Sequence, residues 1–163
     1  MKTSHDIAPI IKAAKERCVI GLSGIHGVAH WQRVRENGVR LAKETGANRI
    51  VVELFAFVHD CCREDDFTDP EHGPRAAEFL LTLRKDIDYL DDGDFDRLHE
   101  AIRDHTFGQR HFDVTIGTCW DSDRLDIGRV GPRPHPRFMS TASAKDPRII
   151  DWAFKRSRRP SRR

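Results

Sequence analysis

The sequence lacks the long apolar run that a membrane-spanning helix or the core of a signal peptide requires. Charged residues, beginning with Lys12 and Lys15, interrupt the apolar positions near the N-terminus. Hydrophobic residues make up 38% of the 163 residues and charged residues 33%, which is typical of a chain with a well-hydrated surface. We therefore expect a cytoplasmic protein with no membrane partner. We also expect a single domain, because a chain of this length can bury a hydrophobic core without cross-links.

Paired cysteines are also missing. The four cysteines are Cys18, Cys61, Cys62 and Cys119, and their spacing matches neither a disulfide framework nor a zinc ribbon. Cys61 and Cys62 are adjacent in a predicted helix, where a bridge between them is unfavourable. Free cysteine is among the most buried residue types, so we expect reduced core residues without a catalytic role.

Several catalytic motifs are absent. The chain has no P-loop, no G-x-S-x-G nucleophile elbow and no G-x-G-x-x-G dinucleotide motif. His26 and His30 stand four residues apart, as in the metal-binding helix of a zincin, but Gly27 occupies the position of the required glutamate. The enzyme classes that depend on these motifs are therefore set aside.

Alternation of apolar and polar residues with a period of two is rare, and no internal repeat is visible. Apolar residues instead recur at helical spacing. This pattern predicts helices at residues 7–22, 27–46, 48–63, 75–88, 94–105 and 114–131, separated by turns rich in glycine, proline and aspartate. Residues 48–63 are apolar on nearly every side, which indicates a central helix. The predicted fold class is all-α, a helical bundle.

The C-terminal part of the chain divides into an extension and a tail. We expect residues 1–154 to form the domain, in which an extension from about residue 131 to 154 folds back over the preceding helices. The extension would either make a dimer contact or cover the site. Its apolar anchor is predicted to be Ile149, Ile150, Trp152 and Phe154. The oligomeric state stays open.

The tail, residues 155–163, has the sequence KRSRRPSRR, with six basic residues and no acid. Subtracting these six charges from the formal net charge of +2 leaves −4 for the rest of the chain. A segment without apolar residues to bury is expected to be disordered. Nucleic acid or another anionic partner could bind it, and a purely solubilising tail is the alternative.

Histidine and aspartate recur, nearly always where predicted helices end or face inward, and His72 lies in the loop that follows residue 63. These residues are His26, His30, His59, Asp60, His72, His105 and Asp123. Neutral imidazoles and carboxylates are ligands that Mn, Fe, Co, Ni and Zn accept. A carboxylate such as Asp60, at the end of an apolar helix, is costly to bury without a cation or hydrogen-bond donors. The sequence therefore favours a divalent metal beside Asp60.

The order and context of these residues resemble the HD superfamily of metal-dependent phosphohydrolases. His30 lies in an early helix, His59 and Asp60 lie in ELFAFVHDCCRE, DPEHGPRAAEFL follows, and Asp123 lies in WDSDRLDIGRVG. The resemblance spans about residues 28 to 129 and implies an HD-domain helical bundle. It also implies that His30, His59, Asp60 and Asp123 hold a first metal ion.

A second ion is allowed by the same resemblance. Superfamily members with two metals carry two further histidines between the HD pair and the last aspartate, and His72 and His105 stand at those places. Asp60 would then bridge the ions. Alternatively, His72 could hydrogen-bond a backbone carbonyl or bind phosphate in a one-metal site, and His105 could be a helix-end histidine favoured by the helix dipole. The identity of the metal stays open.

The implied function is a phosphohydrolase or phosphodiesterase that acts on a nucleotide or another small phosphate ester through a metal-activated water. Asp60 is predicted to orient this water. Glu64, one helical turn further on, is the candidate general base or a support for the ligands. Arg63, His111 and Arg124 are candidate contacts to the substrate phosphate. For the arginines and Glu64, ordinary surface ion pairs are the alternative.

Two other functions fit the same ligands. A minority of HD proteins use a di-iron centre for oxygen chemistry, which would require both His72 and His105 as ligands. The third interpretation is a non-enzymatic, metal-binding regulatory module in which the basic tail is the working part. The intact ligand set argues against this third interpretation.

Overall fold

The computed structural model describes residues 5–159. This part of the chain contains eight α-helices and three short 3-10 helices, joined by turns and loops, and no strand. The α-helices are α1 Ala8–Arg17, α2 Val28–Thr45, α3 Arg49–Val58, α4 His72–Thr82, α5 Asp92–Asp104, α6 Val114–Arg124, α7 Ala142–Lys145 and α8 Pro147–Ser157. The 3-10 helices are Arg84–Ile87, Ile127–Val130 and Pro136–Phe138. The predicted all-α class is confirmed.

Helix α3 is the centre of the bundle. Asn48 begins it, because its side-chain oxygen accepts hydrogen bonds from the backbone nitrogens of Ile50 at 2.9 Å and Val51 at 3.4 Å. Residues 51–62 are all buried, and α1, α2, α5 and α6 pack around the helix. A segment that is apolar on every side must be surrounded in this way to remove its surface from water.

Several helix ends differ from the predicted ones. Helix α3 ends at Val58 rather than near residue 63, and residues 59–62 form turns. Helix α1 ends at Arg17 rather than at residue 22. Gly46 ends α2 as predicted, in a left-handed conformation with φ of 78° that favours glycine. These ends decide which polar side chains reach the middle of the bundle.

The C-terminal extension packs against α2 and α6. Seven residues form a second apolar cluster: Leu41, Leu125, Met139, Ala144, Ile149, Ile150 and Ala153. The buried carboxylate of Asp121 on α6 fixes the middle of the extension, because it accepts hydrogen bonds from the backbone nitrogens of Ser140 at 2.7 Å and Thr141 at 2.8 Å. The extension therefore folds back over the domain, and Trp152 lies at the edge of this second cluster.

The prediction of a disordered tail from residue 155 is wrong for its first residues. Lys155 and Arg156 belong to α8, which continues to the buried Ser157. The guanidinium of Arg156 pairs with Glu36, donates to Asn37 Oδ1 at 2.8 Å and lies 4.2 Å from the ring centre of Trp152. Basic side chains that find such partners on α2 and α8 remain ordered. Residues 160–163 of the predicted tail lie outside the described residues.

Within residues 5–159, no helix is both long and apolar enough to cross a lipid bilayer. The four cysteines are free, and Cys61, Cys62 and Cys119 are buried in the main core.

Candidate metal centre

Six histidine and aspartate side chains, from three helices and from the turns directly after two others, converge beside the end of α3. They are His30 from α2, His59 and Asp60 from the turn after α3, His72 from the first turn of α4, His105 directly after α5, and Asp123 from the last turn of α6. The Asp123 side chain is 22% exposed, whereas the other five are almost fully buried. The cluster therefore opens to solvent beside Asp123.

The first half of the cluster surrounds one oxygen of Asp60. His30 Nε2 lies 3.3 Å from Asp60 Oδ2, 3.3 Å from Asp123 Oδ1 and 3.3 Å from His59 Nε2. His59 Nε2 lies 3.4 Å from Asp60 Oδ2 and 3.7 Å from Asp123 Oδ1. Ligand atoms that share one divalent ion at 2.0–2.1 Å stand roughly 3.0–3.4 Å apart in octahedral or tetrahedral geometry. These four side chains are spaced as a set of metal ligands.

The second half surrounds the other oxygen of the same carboxylate. Asp60 Oδ1 lies 3.1 Å from His72 Nε2 and 3.6 Å from His105 Nε2, and the two imidazole nitrogens are 2.9 Å apart. Asp60 therefore presents one oxygen to each half of the cluster.

Hydrogen bonds at the far side of each ring fix the histidine tautomers. The Nδ1 atom of every one of these histidines faces a carbonyl or carboxylate oxygen: Asp126 for His30, Phe55 and Ala56 for His59, Asp69 for His72, and Ile102 for His105. An oxygen without a hydrogen can only accept, so each Nδ1 donates. The Nε2 atom of each neutral ring is then an unprotonated nitrogen directed at the cluster.

Unprotonated nitrogens and carboxylate oxygens at these distances repel one another unless a metal cation or a proton lies between them. His72 Nε2 and His105 Nε2 face each other at 2.9 Å, with Asp60 Oδ1 beside them. Three overlapping groups of these residues offer ligand atoms that could hold an ion. The donor set is one that Mn, Fe, Co, Ni and Zn all accept, so the residues fit a divalent metal.

Without a metal, protons must balance the buried carboxylates. Burial opposes a charged imidazole, but the nearby Asp60 and Asp123 outweigh it and raise the pKa of His59 to about 10. Burial also opposes a charged Asp60, yet His59, His105 and His30 hold the pKa of this carboxyl well below its usual range. The Asp60 carboxylate is therefore ionised at neutral pH and available to a cation.

Comparison with known proteins supports the architecture. No family model matches the sequence, and no curated protein matches it. A crystal structure described as a predicted HD superfamily hydrolase, from an uncultured Thermotogales bacterium, superposes with a TM-score of 0.70 at 21% identity over 90% of this chain and 84% of that chain. A solved structure from Lactobacillus plantarum superposes with a TM-score of 0.55 at 24% identity over 95% of this chain and 82% of that chain. The chain has the HD-domain fold.

No role was predicted from the sequence for two buried carboxylates that lie beside the cluster. Asp126 is 1% exposed, lies 2.7 Å from His30 Nδ1 and accepts from Arg33 Nε at 2.7 Å. Its position three residues after Asp123, in the D-x-L-D pattern, was the available signal. The second is Asp69, which is largely buried and pairs with an arginine of α4.

His26 was noticed in the sequence but was given no role. It is 8% exposed, and its Nδ1 lies 2.9 Å from Asp66 Oδ1. Its ring centre is 6.2 Å from that of His30, so it lies beside the first half of the cluster. Burial lowers the pKa of His26, which favours a neutral ring.

Arg63, a predicted contact to the substrate phosphate, lies beside Asp60 in the cluster. Its Nε is 3.3 Å from Asp60 Oδ1, and its Nη1 donates to the carbonyl oxygen of Asp65 at 2.9 Å. The side chain is 11% exposed, so its charge is held close to the cluster.

The prediction for Glu64 is corrected by the structure. Its side chain is 67% exposed and lies 3.6 Å from Arg75 Nε, on the solvent side of the turn. The prediction assumed that helix α3 continues past Asp60 and so places Glu64 one turn further on the same face. The helix ends at Val58, and the turns that follow direct Glu64 away from the cluster.

His111 and Arg124 lie outside the cluster as well. His111 Nε2 lies 3.1 Å from Glu100 Oε1 and its Nδ1 accepts from the backbone of Asp113, so both ring nitrogens are engaged in fixing a loop. The guanidinium of Arg124 donates to the carbonyl oxygens of Gly108, Gln109 and Phe138. Arg124 therefore joins the loop after α5 to the extension, and its hydrogen bonds are used in doing so.

Proposed function

We propose that the protein is a metal-dependent phosphohydrolase or phosphodiesterase that acts on a nucleotide or another small phosphate ester. The observation that carries this proposal is the position of Asp60, whose two oxygens face two separate sets of imidazole nitrogens. The likeness in fold to a protein described as a predicted HD superfamily hydrolase supports the reaction class.

The ligand assignment follows from the two halves of the cluster. His30, His59, Asp60 and Asp123 would hold the first ion, and His72 and His105 would hold the second together with the other oxygen of Asp60. Two ions in such a site would supply a water of lowered pKa and positive charge for the phosphoryl oxygens.

The protein's own residues contribute position and charge. The Nδ1 hydrogen bonds hold four imidazoles with their Nε2 atoms inward, so the ligands need little reorganisation. Arg63 places a positive charge against Asp60, where an anionic substrate would approach. Because Asp123 is the most exposed member of the cluster, the substrate would enter beside it. Phosphoryl transfer depends mainly on positioning and stabilisation of charge of this kind.

A di-iron centre for oxygen chemistry is the second candidate. It requires both histidines of the second half, and His72 and His105 both approach Asp60. The regulatory-module interpretation is weaker, because Lys155 and Arg156 of the expected tail are part of α8. Binding of nucleic acid through the tail stays a prediction.

The test combines metal analysis with hydrolysis. We expect the purified wild-type protein to hold about two ions per chain, and Asp60→Ala to lose both because it removes the shared ligand. Phosphate release from a panel of a phosphodiester, a phosphomonoester and nucleoside triphosphates, with added Mn, Co or Ni, should fall by more than about a hundredfold in this variant.

The matched control is Asp96→Ala, which removes an exposed carboxylate from α5 and should change neither result. Stoichiometric iron without hydrolysis would favour the oxygenase. A wild-type protein without metal and without hydrolysis on any substrate would refute both candidates.

A further inference from the structure

A cavity of about 640 Å³ lies next to the metal centre. Thr106 lines this cavity, and its Oγ1 is 3.3 Å from His72 Nε2. Arg124, the residue after Asp123, lines it from the other side. The cavity therefore adjoins the centre through Thr106 and Arg124.

The C-terminal extension builds the far wall of the cavity. Residues 132–135 and 137–139 line it, opposite the loop of residues 106–110. Arg124 ties the two walls together through the carbonyl oxygens of Gly108 and Phe138. The walls are thus held in position by hydrogen bonds within the protein.

The cavity wall is strongly basic. Four arginines and one histidine line it, Arg110, Arg124, Arg133, Arg137 and His135, and no aspartate or glutamate does. Arg133 pairs with Asp151, whereas Arg110 and Arg137 have no carboxylate partner among residues 5–159. Unpaired guanidinium groups around a recess attract an anion and can hold phosphate through paired hydrogen bonds.

Apolar side chains complete the lining between the arginines. Ile127, Pro132, Pro134, Phe138 and Met139 contribute this surface. The volume is within the range of about 300–1,000 Å³ that holds small organic ligands. The cavity therefore suits an organic group that carries an anion at some distance from the metal centre.

We propose that this arginine-lined cavity binds a second phosphate group of the substrate, so that the natural substrate is a small organic molecule with two separate phosphates. One phosphate lies at the metal centre and the other lies against Arg110 and Arg137. This inference rests on the proposed function, which places the reacting phosphate at the centre. It makes the extension the part of the chain that selects the substrate.

The test is a binding comparison with paired probes on manganese-loaded protein. Isothermal titration calorimetry at about 0.15 M salt, where exposed charges are largely screened, compares adenosine 5′-monophosphate with adenosine 3′,5′-bisphosphate, and fructose 6-phosphate with fructose 1,6-bisphosphate. In at least one pair the bisphosphate should bind about tenfold or more tightly, since a charge-assisted contact contributes about 1.5–3 kcal/mol. The variant Arg110→Ala/Arg137→Ala should lose this preference.

The control Lys12→Ala/Arg148→Ala also removes two positive charges, from exposed positions of α1 and α8 outside the cavity, and should keep the preference. Circular dichroism verifies that both double variants are folded. Equal binding within both pairs in the wild-type protein, or a preference that survives in Arg110→Ala/Arg137→Ala, would overturn the proposal.

Phosphate release measured in the same samples separates the two proposals. A preference for bisphosphates without hydrolysis would support the second phosphate site and refute the proposed hydrolase activity. Hydrolysis without a preference for bisphosphates would support the proposed hydrolase activity and refute the second phosphate site.

Discussion

At the scale of single residues, Asp126 contacts His30, a proposed metal ligand, without belonging to the cluster. Its carboxylate is buried and contacts His30 Nδ1, and Arg33 compensates its charge through two hydrogen bonds. A carboxylate behind an imidazole fixes the ring orientation and raises the basicity of the nitrogen that faces the metal. The affinity of the first ion should therefore depend on Asp126.

We expect Asp126→Asn to lower metal affinity by about 10- to 100-fold. The amide keeps the shape of the side chain but loses the negative charge that stabilises the His30 ring as a donor ligand. Competition with a chelator of known affinity, followed by metal analysis, measures the change. Asp96→Asn on the exposed face of α5 is the control. Unchanged affinity in Asp126→Asn would show that Asp126 only neutralises Arg33.

At the scale of helices, the second half of the cluster depends on how closely α4 approaches α5. Gly73 follows His72, and a Cβ atom at this position would lie 2.7 Å from the carbonyl oxygen of Arg103 and 3.0 Å from that of Ile102. The Ile102 carbonyl is also the acceptor for His105 Nδ1. The absence of a side chain at Gly73 therefore lets the two histidines meet.

We expect Gly73→Ala to push α4 away from α5 and to reduce bound metal from about two ions per chain to about one. Stability should also fall by roughly 1–3 kcal/mol, because the backbone must shift. Metal analysis and thermal unfolding measure the two effects. The control is Gly93→Ala in the first turn of α5, where the nearest atom would be 3.4 Å away. Two tightly bound ions in Gly73→Ala would contradict this explanation.

At the scale of the whole molecule, the extension is part of the folded domain. Its apolar side chains pack on Leu41 of α2 and on Leu125 directly after α6, next to the helices that carry His30 and Asp123. Asp121 reinforces the contact with three hydrogen bonds to residues 140 and 141. The extension should therefore unfold together with the metal centre.

We expect Ile150→Ala to lower the free energy of unfolding by about 2–4 kcal/mol while preserving one cooperative transition. Ile150 is 4% exposed in the second cluster, so the truncation leaves a cavity there. Urea unfolding, monitored by both circular dichroism and tryptophan fluorescence, measures the free energy of unfolding and the number of transitions. The control is Lys155→Ala, at an exposed position of the same helix. An early, separate loss of the extension would contradict the prediction.

The sequence by itself determined the all-helical class and the position of most helices, because helical periodicity and turn residues are local signals. It also placed His30, His59, Asp60, His105 and Asp123 at helix ends and inner faces and His72 in a loop, and the structure brings these six together. Residue type and spacing marked these side chains as possible metal ligands, and the resemblance to the HD superfamily, rather than spacing, joined them into one set.

Only the tertiary structure decided what the neighbouring charged residues do. The end of α3 at Val58 turned Glu64 outward, and the packing of the extension on α6 used the hydrogen bonds of Arg124. The same packing formed the arginine-lined cavity from two segments far apart in the chain. Helix ends and loop paths depend on contacts between distant residues, and a local pattern carries no information about those contacts.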